Sequence, residues 1–213
     1  MNTWTSPARQ EFISLIIDFL KCNYIFGDYV EFGIYKGGTL STAISIIAKH
    51  QITTPKFNNM HFYGFDSFQG FPKLTNIDTY PQFSEGQRAY LKADVIKNLK
   101  DRGFSHLLPR IHLIEGWFED TLSKPTEIKS NSVSFVYIDC DLYESTKTAL
   151  NFIFPKLING AVIAFDDWFC FGGHPFKGEQ KAFKEFIKEH EDIHFVEYHK
   201  FGWHGNSFIY HQL

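Results

Sequence analysis

Two apolar spacings alternate along the chain. Ser6-Pro7 opens a helical pattern in which Phe12, Ile16, Phe19 and Leu20 share one face, and Gly27 closes it. Asp28 to Phe32 then reads as a short strand running through Gly33-Ile34-Tyr35-Lys36-Gly37-Gly38-Thr39 into a helix that carries Leu40, Ala43, Ile44, Ile47 and Ala48. His61 to Asp66 is a second strand. Leu91, Val95, Ile96 and Leu99 mark a helix over 89–102, and Arg110 to Glu115 a third strand. Ser132 to Ile138 and Ala161 to Phe165 are nearly continuous apolar runs, as expected of strands covered on both faces. Between them Ser145 is placed to cap a helix with Ala149, Leu150, Ile153, Phe154 and Leu157 facing inward, Pro155 shortening it and Gly160 opening the next strand. A helix over Gly178 to His190 turns Ala182, Phe183, Phe186 and Ile187 inward. The runs Ile193 to Tyr198 and Ser207 to Tyr210 form a closing antiparallel edge pair.

Strands alternating with helices imply an α/β chain: a three-layer, Rossmann-like sandwich around a mostly parallel seven-stranded sheet with an antiparallel C-terminal strand. One domain over 1–213 is expected, with an N-terminal helix in 1–27. Residues 67–88 show no period but interleave Phe and Tyr with Gly and Pro, which reads as an ordered lid.

Composition narrows the function. At 213 residues and 44% hydrophobic the chain carries a full-sized core, and its 24 Phe suit a bulky interior. A net charge of −3 gives no electrostatic reason to expect a nucleic-acid or membrane partner. No secretory leader or span of ~20 apolar residues is visible, so a soluble cytoplasmic protein is expected. Cys22, Cys140 and Cys170 lack metal or disulfide spacing, and acidic neighbours argue against a Cys140 nucleophile.

The chemistry gathers at strand ends. Asp139 and Asp141 follow one buried run, and Asp166 and Asp167 the other. Open α/β sheets bind ligands at the carboxyl ends of their strands, and neighbouring strands lie ~4.8 Å apart, so such acids can converge on one cation. Hard oxygen ligands select Mg²⁺ first, then Ca²⁺ or Mn²⁺. An acid–base pair without metal, and plain helix caps with solvated acids, are the competing readings. The glycine turn at 33–38 suits a nucleotide-like ligand but is not G-x-G-x-x-G; Asp66, at the second strand's tip, is placed to accept from ribose hydroxyls or to serve as a cap. Gly116-Trp117-Phe118 could flank an adenine-like ring or be ordinary core. His174 and His204 sit in aromatic loops, where either could touch substrate or be a loop residue with no catalytic task, the second being the preferred reading.

The segments Glu31 to Thr39, Gly64 to Gly70, Gly116 to Leu122, Asp139 to Thr146 and Phe165-Asp166-Asp167 occur in this order, and the set resembles the macrocin O-methyltransferase family, which includes the mycinamicin and novobiocin sugar methyltransferases. That resemblance implies an S-adenosylmethionine- and Mg²⁺-dependent O-methyltransferase acting on a hydroxyl of a glycoside or glycan, and it is compatible with a homo-oligomer. Carried over by position, it implies that Glu31, Phe32, Gly33, Ile34, Tyr35, Gly38, Thr39, Asp66, Ser67, Phe68, Gly70, Gly116, Trp117, Phe118 and Asp139 serve the cofactor. It further implies that Asp139, Asp166 and Asp167 hold Mg²⁺ and that Asp141 is the general base. The rival expectations are a nicotinamide-dependent oxidoreductase, against which the missing glycine fingerprint argues, and a non-catalytic cofactor-binding protein.

Overall fold

Each apolar run becomes a strand because only a doubly covered sheet removes both of its faces from water. The computed structural model describes residues 5–123, 128 and 131–213, so the first four residues of the expected 1–27 segment lie outside the described residues. Along the chain run α1 (Pro7–Cys22), β1 (Asp28–Phe32), α2 (Gly38–His50), β2 (Phe62–Asp66), α3 (Lys92–Asp101), β3 (Ile111–Glu115), α4 (Phe118–Thr121), β4 (Val133–Ile138), α5 (Tyr143–Ile153), β5 (Leu157–Phe165), the turn α6 (Cys170–Gly173), α7 (Gly178–Glu189), β6 (Ile193–Glu197) and β7 (Asn206–Gln212).

The seven strands lie in the order β3-β2-β1-β4-β5-β7-β6. The first five are parallel, and β7 inserts antiparallel between β5 and β6. The closing pair is therefore not wholly at the edge: β6 is the edge, while β7 is paired on both sides. Strand alternation divides the core. Tyr29, Phe62, Phe135, Tyr137 and Val162 face α1 and α2. Val30, Phe32, Phe65, Val136, Ile163 and Phe165 face α5 and α7. Burying one such side chain contributes about 1.5–3 kcal/mol, so the two clusters carry most of the stabilisation.

Local details differ from the sequence reading where tertiary contacts intervene. α1 starts as expected, with the Ser6 hydroxyl accepting from the Arg9 amide and Pro7 in the first turn, but it ends at Cys22. α3 begins at Lys92 rather than near Ala89. Ser145 does not cap α5: the helix begins at Tyr143, and the buried Asp78, from the 67–88 segment, accepts from the amides of Tyr143 (2.6 Å) and Glu144 (3.4 Å). Gly160 does not open a strand either. β5 starts at Leu157, and Gly160, at φ +81°, takes up the irregularity between β5 and β4. Ile187 is 37% exposed, on the outer shoulder of α7. Among the described residues, no helix is long and apolar enough to cross a membrane.

Candidate active site at the carboxyl ends of the parallel strands

The tips of β1, β2, β3 and β4 open on one cavity of about 320 Å³, whose lining includes Arg9, Gly33, Tyr35, Asp66, Trp117, Asp139 and Asp141. Its floor is the crossing of two chain turns. Gly33 follows β1 at φ +85°, and a Cβ there would run into the carbonyl oxygen of Asp139. Only glycine lets the ends of β1 and β4 approach so closely.

On the β2–β3 side, the Asp66 carboxylate ties two turns together through three amides. Its Oδ2 accepts from the amides of Ile34 (2.7 Å) and Tyr35 (2.9 Å), and its Oδ1 from that of Phe68 (2.7 Å). Asp66 thus caps no helix: Ile34 and Tyr35 precede α2 and Phe68 lies in the loop after β2, while the same carboxylate faces the cavity. Ser67, Gly70, Trp117 and Phe118 also line it. Glu31, Phe32, Ile34, Gly38, Thr39, Phe68 and Gly116 do not: Glu31 and Phe32 are buried in β1, and Gly38 and Thr39 are the first residues of α2.

On the β4–β5 side the acids converge. Carboxylate oxygens of Asp139, Asp141 and Asp167 all lie within 4.8 Å of one another, as do ligand atoms of Asp166, Asp167 and His204. Asp141 Oδ1 and Asp167 Oδ2 are buried without a hydrogen-bond partner among the described residues. Burial, reinforced by the neighbouring acids, holds Asp139 and Asp167 well above the ordinary carboxylate range. Burial likewise pushes Asp141 up to about 7; Arg88 draws it down, while Asp139 and Asp166 push it higher. Asp141 also adopts φ +59°, a left-handed backbone that costs on the order of 1 kcal/mol and is held by its surroundings.

Asp166 has a different set of partners. Arg9 donates to both of its oxygens, the Tyr137 hydroxyl donates to Oδ1, and His204 Nδ1 lies 3.6 Å from Oδ2 and bonds the Asp166 carbonyl. His204 is thus part of the acid cluster rather than a plain loop residue, whereas His174 stays in an exposed loop and accepts from the Phe176 amide. Arg88 donates to Asp141 at 2.8 Å. Neither arginine is singled out by local sequence, since the partners lie 157 and 53 residues away. Glu179, at the start of α7, is a further missed acid and accepts from the Asp167 amide. Cys140 is buried beside Thr146, and burial raises its thiol, in keeping with a non-nucleophilic role.

The 67–88 segment closes one wall. Phe71 and Gln87 pair through backbone at 3.0 Å, and Phe71, Phe83 and Phe171 pack at ring separations of 5.1 and 5.5 Å. That packing carries Phe71, Pro72 and Arg88 to the cavity beside Asp141.

The chain resembles known proteins over most of its length. A protein-family model described as Macrocin-O-methyltransferase (TylF) matches residues 2–204. Demethyldecarbamoylnovobiocin O-methyltransferase of Streptomyces niveus is 29% identical over 174 residues, which cover 78% of this chain and 62% of that protein. Mycinamicin III 3''-O-methyltransferase of Micromonospora griseorubida is 29% identical over 176 residues, 79% of this chain and 61% of that protein. The chain therefore spans less than two thirds of the length of these relatives. Among solved structures, the O-methyltransferase NovP superposes with a TM-score of 0.73 at 25% identity, covering 95% of this chain and 79% of NovP. The calicheamicin methyltransferase CalS11 does so with a TM-score of 0.74 at 25% identity, covering 94% and 77%.

Proposed function

The chain belongs to the macrocin O-methyltransferase family, and on that premise we propose that it transfers the S-adenosylmethionine methyl group to a hydroxyl of a sugar or glycosylated small molecule, with Mg²⁺ at the carboxylate cluster. The observation that carries this reading is that Asp66 and Trp117 share one cavity with Asp139 and Asp141. β2 and β4 are separated by β1 alone, so their tips stand about 10 Å apart, a span suited to a cofactor whose ribose is at one end and whose reactive sulfonium is at the other.

In this reading Asp66 receives the ribose hydroxyls, and Trp117 and Phe118 flank the adenine. Asp139 and Asp167 suit a hard divalent cation through carboxylate oxygen, one of them buried and unpaired. Asp166 is the expected third ligand and would exchange Arg9 for the ion. Charge favours the same assignment: six carboxylates (Glu31, Asp139, Asp141, Asp166, Asp167 and Glu179) are gathered with the guanidiniums of Arg9 and Arg88. Carboxyls gathered so closely hold their protons, and a cation among them lets them ionise together. When bound, Mg²⁺ would supply Lewis-acid polarisation of the acceptor oxygen and lower the hydroxyl pKa.

Asp141 then has a divided task. Its Oδ2 stays paired with Arg88, and its Oδ1, free of other partners, takes the hydroxyl proton. The acceptor oxygen forms the new bond to the methyl carbon as the carbon–sulfur bond breaks, leaving a neutral thioether. Positioning of the two reactants in line contributes much of the rate.

Calorimetry with S-adenosylmethionine and with NAD, each with and without Mg²⁺, tests the assignment. Binding of S-adenosylmethionine alone among the two cofactors is expected. Absence of that binding removes the methyltransferase reading, and binding of NAD restores the oxidoreductase.

A further inference from the structure

The second residue of α7, Glu179, is 1% exposed and stands on a different element from every acid of the cluster, and its Oε2 accepts the Asp167 amide proton at 2.9 Å. The neighbouring amide, that of Asp166, is held by the β4 ladder through the Ile138 carbonyl at 2.8 Å. Asp167 is therefore the first residue past the ladder, and its peptide plane is set by a side chain from another element. Around it, the Asp167 carbonyl accepts from the Cys170 amide at 2.9 Å, and its Oδ1 from the Cys170 thiol at 3.2 Å. Its remaining oxygen, Oδ2, is buried and unpaired, and the carboxylate stands within 4.8 Å of those of Asp139 and Asp141.

Resting on the Mg²⁺ reading above, we propose that Glu179 is a positioning residue for the cation site: by holding the Asp167 amide it fixes the turn that presents Asp167 Oδ2 to the ion. Rotation of the 166–167 peptide would swing that oxygen away from the other two acids. Helix α7 is seated for the purpose. A Cβ on Gly178 would meet the Phe171 ring at 2.8 Å and the Asp141 carbonyl at 3.2 Å, so the helix start lies directly against the turn that carries Asp141. The start of α7 thereby meets the carboxyl ends of both strands, through the Glu179 side chain after β5 and the Gly178 backbone after β4. Partners that orient a metal's ligands in this way typically change metal affinity 10–100-fold when removed.

The test uses the full chain and two variants of nearly equal volume. Glu179→Gln keeps an oxygen for the Asp167 amide; Glu179→Met fills the space without one. Mg²⁺ affinity is read by calorimetry, Mn²⁺ environment by electron paramagnetic resonance, and S-adenosylmethionine affinity serves as the control. The Met variant is expected to bind Mg²⁺ about 10–100-fold more weakly with S-adenosylmethionine affinity unchanged, and the Gln variant to stay within about threefold of wild type with the same Mn²⁺ spectrum. Equal Mg²⁺ affinity in the Met variant and wild type overturns the inference. So does a tenfold or greater loss in the Gln variant, which also decides the matter if the Met variant does not fold. A wild-type chain that binds no Mg²⁺ instead sinks the underlying metal assignment, and this inference with it.

Discussion

Arg88 Nη1 lies 2.8 Å from Asp141 Oδ2 and joins the end of the 67–88 segment to the acid that follows β4. The pair divides the carboxylate: one oxygen faces a guanidinium, and the other is buried and unpaired. A general base needs such an arrangement, since an oxygen already accepting two donors has little basicity left.

Asp141→Asn should therefore abolish methyl transfer, by about 10²–10⁴-fold in kcat, while S-adenosylmethionine still binds. Steady-state kinetics and calorimetry on the same preparation check this. Retained turnover would remove Asp141 as the base.

Arg88→Gln should move the acid limb of the rate profile. Asp141 stands at about 7 with Arg88 in place, and Arg88 is the partner that lowers it. Loss of the guanidinium raises the pKa further, so the base is ionised only at higher pH and the limb shifts to the alkaline side. Measuring kcat/KM against pH decides it; an unmoved limb disconnects Arg88 from the base.

Asp66→Ala should weaken the cofactor more than tenfold. Its carboxylate holds the amides of Ile34, Tyr35 and Phe68. Hydrogen bonds to a charged group are worth about 1.5–3 kcal/mol each, and without them the turns after β1 and β2 lose their common anchor. Titration calorimetry reads the loss, and unchanged affinity would separate Asp66 from cofactor binding.

Glu31 predicts a dependence of stability on pH. Burial raises its carboxyl from 4.5 to about 8, with the Tyr29 hydroxyl at 2.5 Å pulling the other way. Between those values the folded chain binds more protons than the unfolded one, so this contribution to stability is full below the lower value and is lost as pH rises through the upper. In EDTA the melting temperature should fall from about pH 5 to about pH 8, and Glu31→Gln should flatten that fall. Parallel melting curves of the two proteins would refute the linkage.

Asp78→Ala should lower the melting temperature by about 2–4 °C, since an N-cap is worth about 1 kcal/mol and a chain of this size shifts by that much. Asp78→Asn, which retains an acceptor oxygen for the Tyr143 amide, should lose less. Thermal melting followed by circular dichroism compares them, and equal melting of the Ala variant and wild type would show that α5 starts without help from the 67–88 segment.

The periodicity of apolar residues was enough to read the three layers, because burial of both sheet faces leaves its mark on every strand and every inward helix face. The acids at 139, 141, 166 and 167 were legible for a related reason: a carboxylate that directly follows a buried run must stand at the strand's carboxyl end, where open sheets form their ligand crevice. Where apolar spacing and local capping compete with a distant partner, the sequence reading missed. Ser145 was a sound local cap, but Asp78 reaches the amides of α5 from a different loop. The apolar run at 161–165 pointed to a strand but not to its start, which cross-strand pairing of Leu157 with Val133 decides.

The sequence by itself determined the element order, the sheet-forming runs and the acids at their ends, since each is recorded in residues a few positions apart. Only the tertiary structure decided the partners of those acids. Arg9 on Asp166, Arg88 on Asp141 and Glu179 on the Asp167 amide come from a helix, a loop and a second helix whose approach depends on how all three layers close. Electrostatic and hydrogen-bond partners are selected by distance in space, and a one-dimensional pattern carries no signal for contacts that span 157, 53 and 12 residues and are made between different elements.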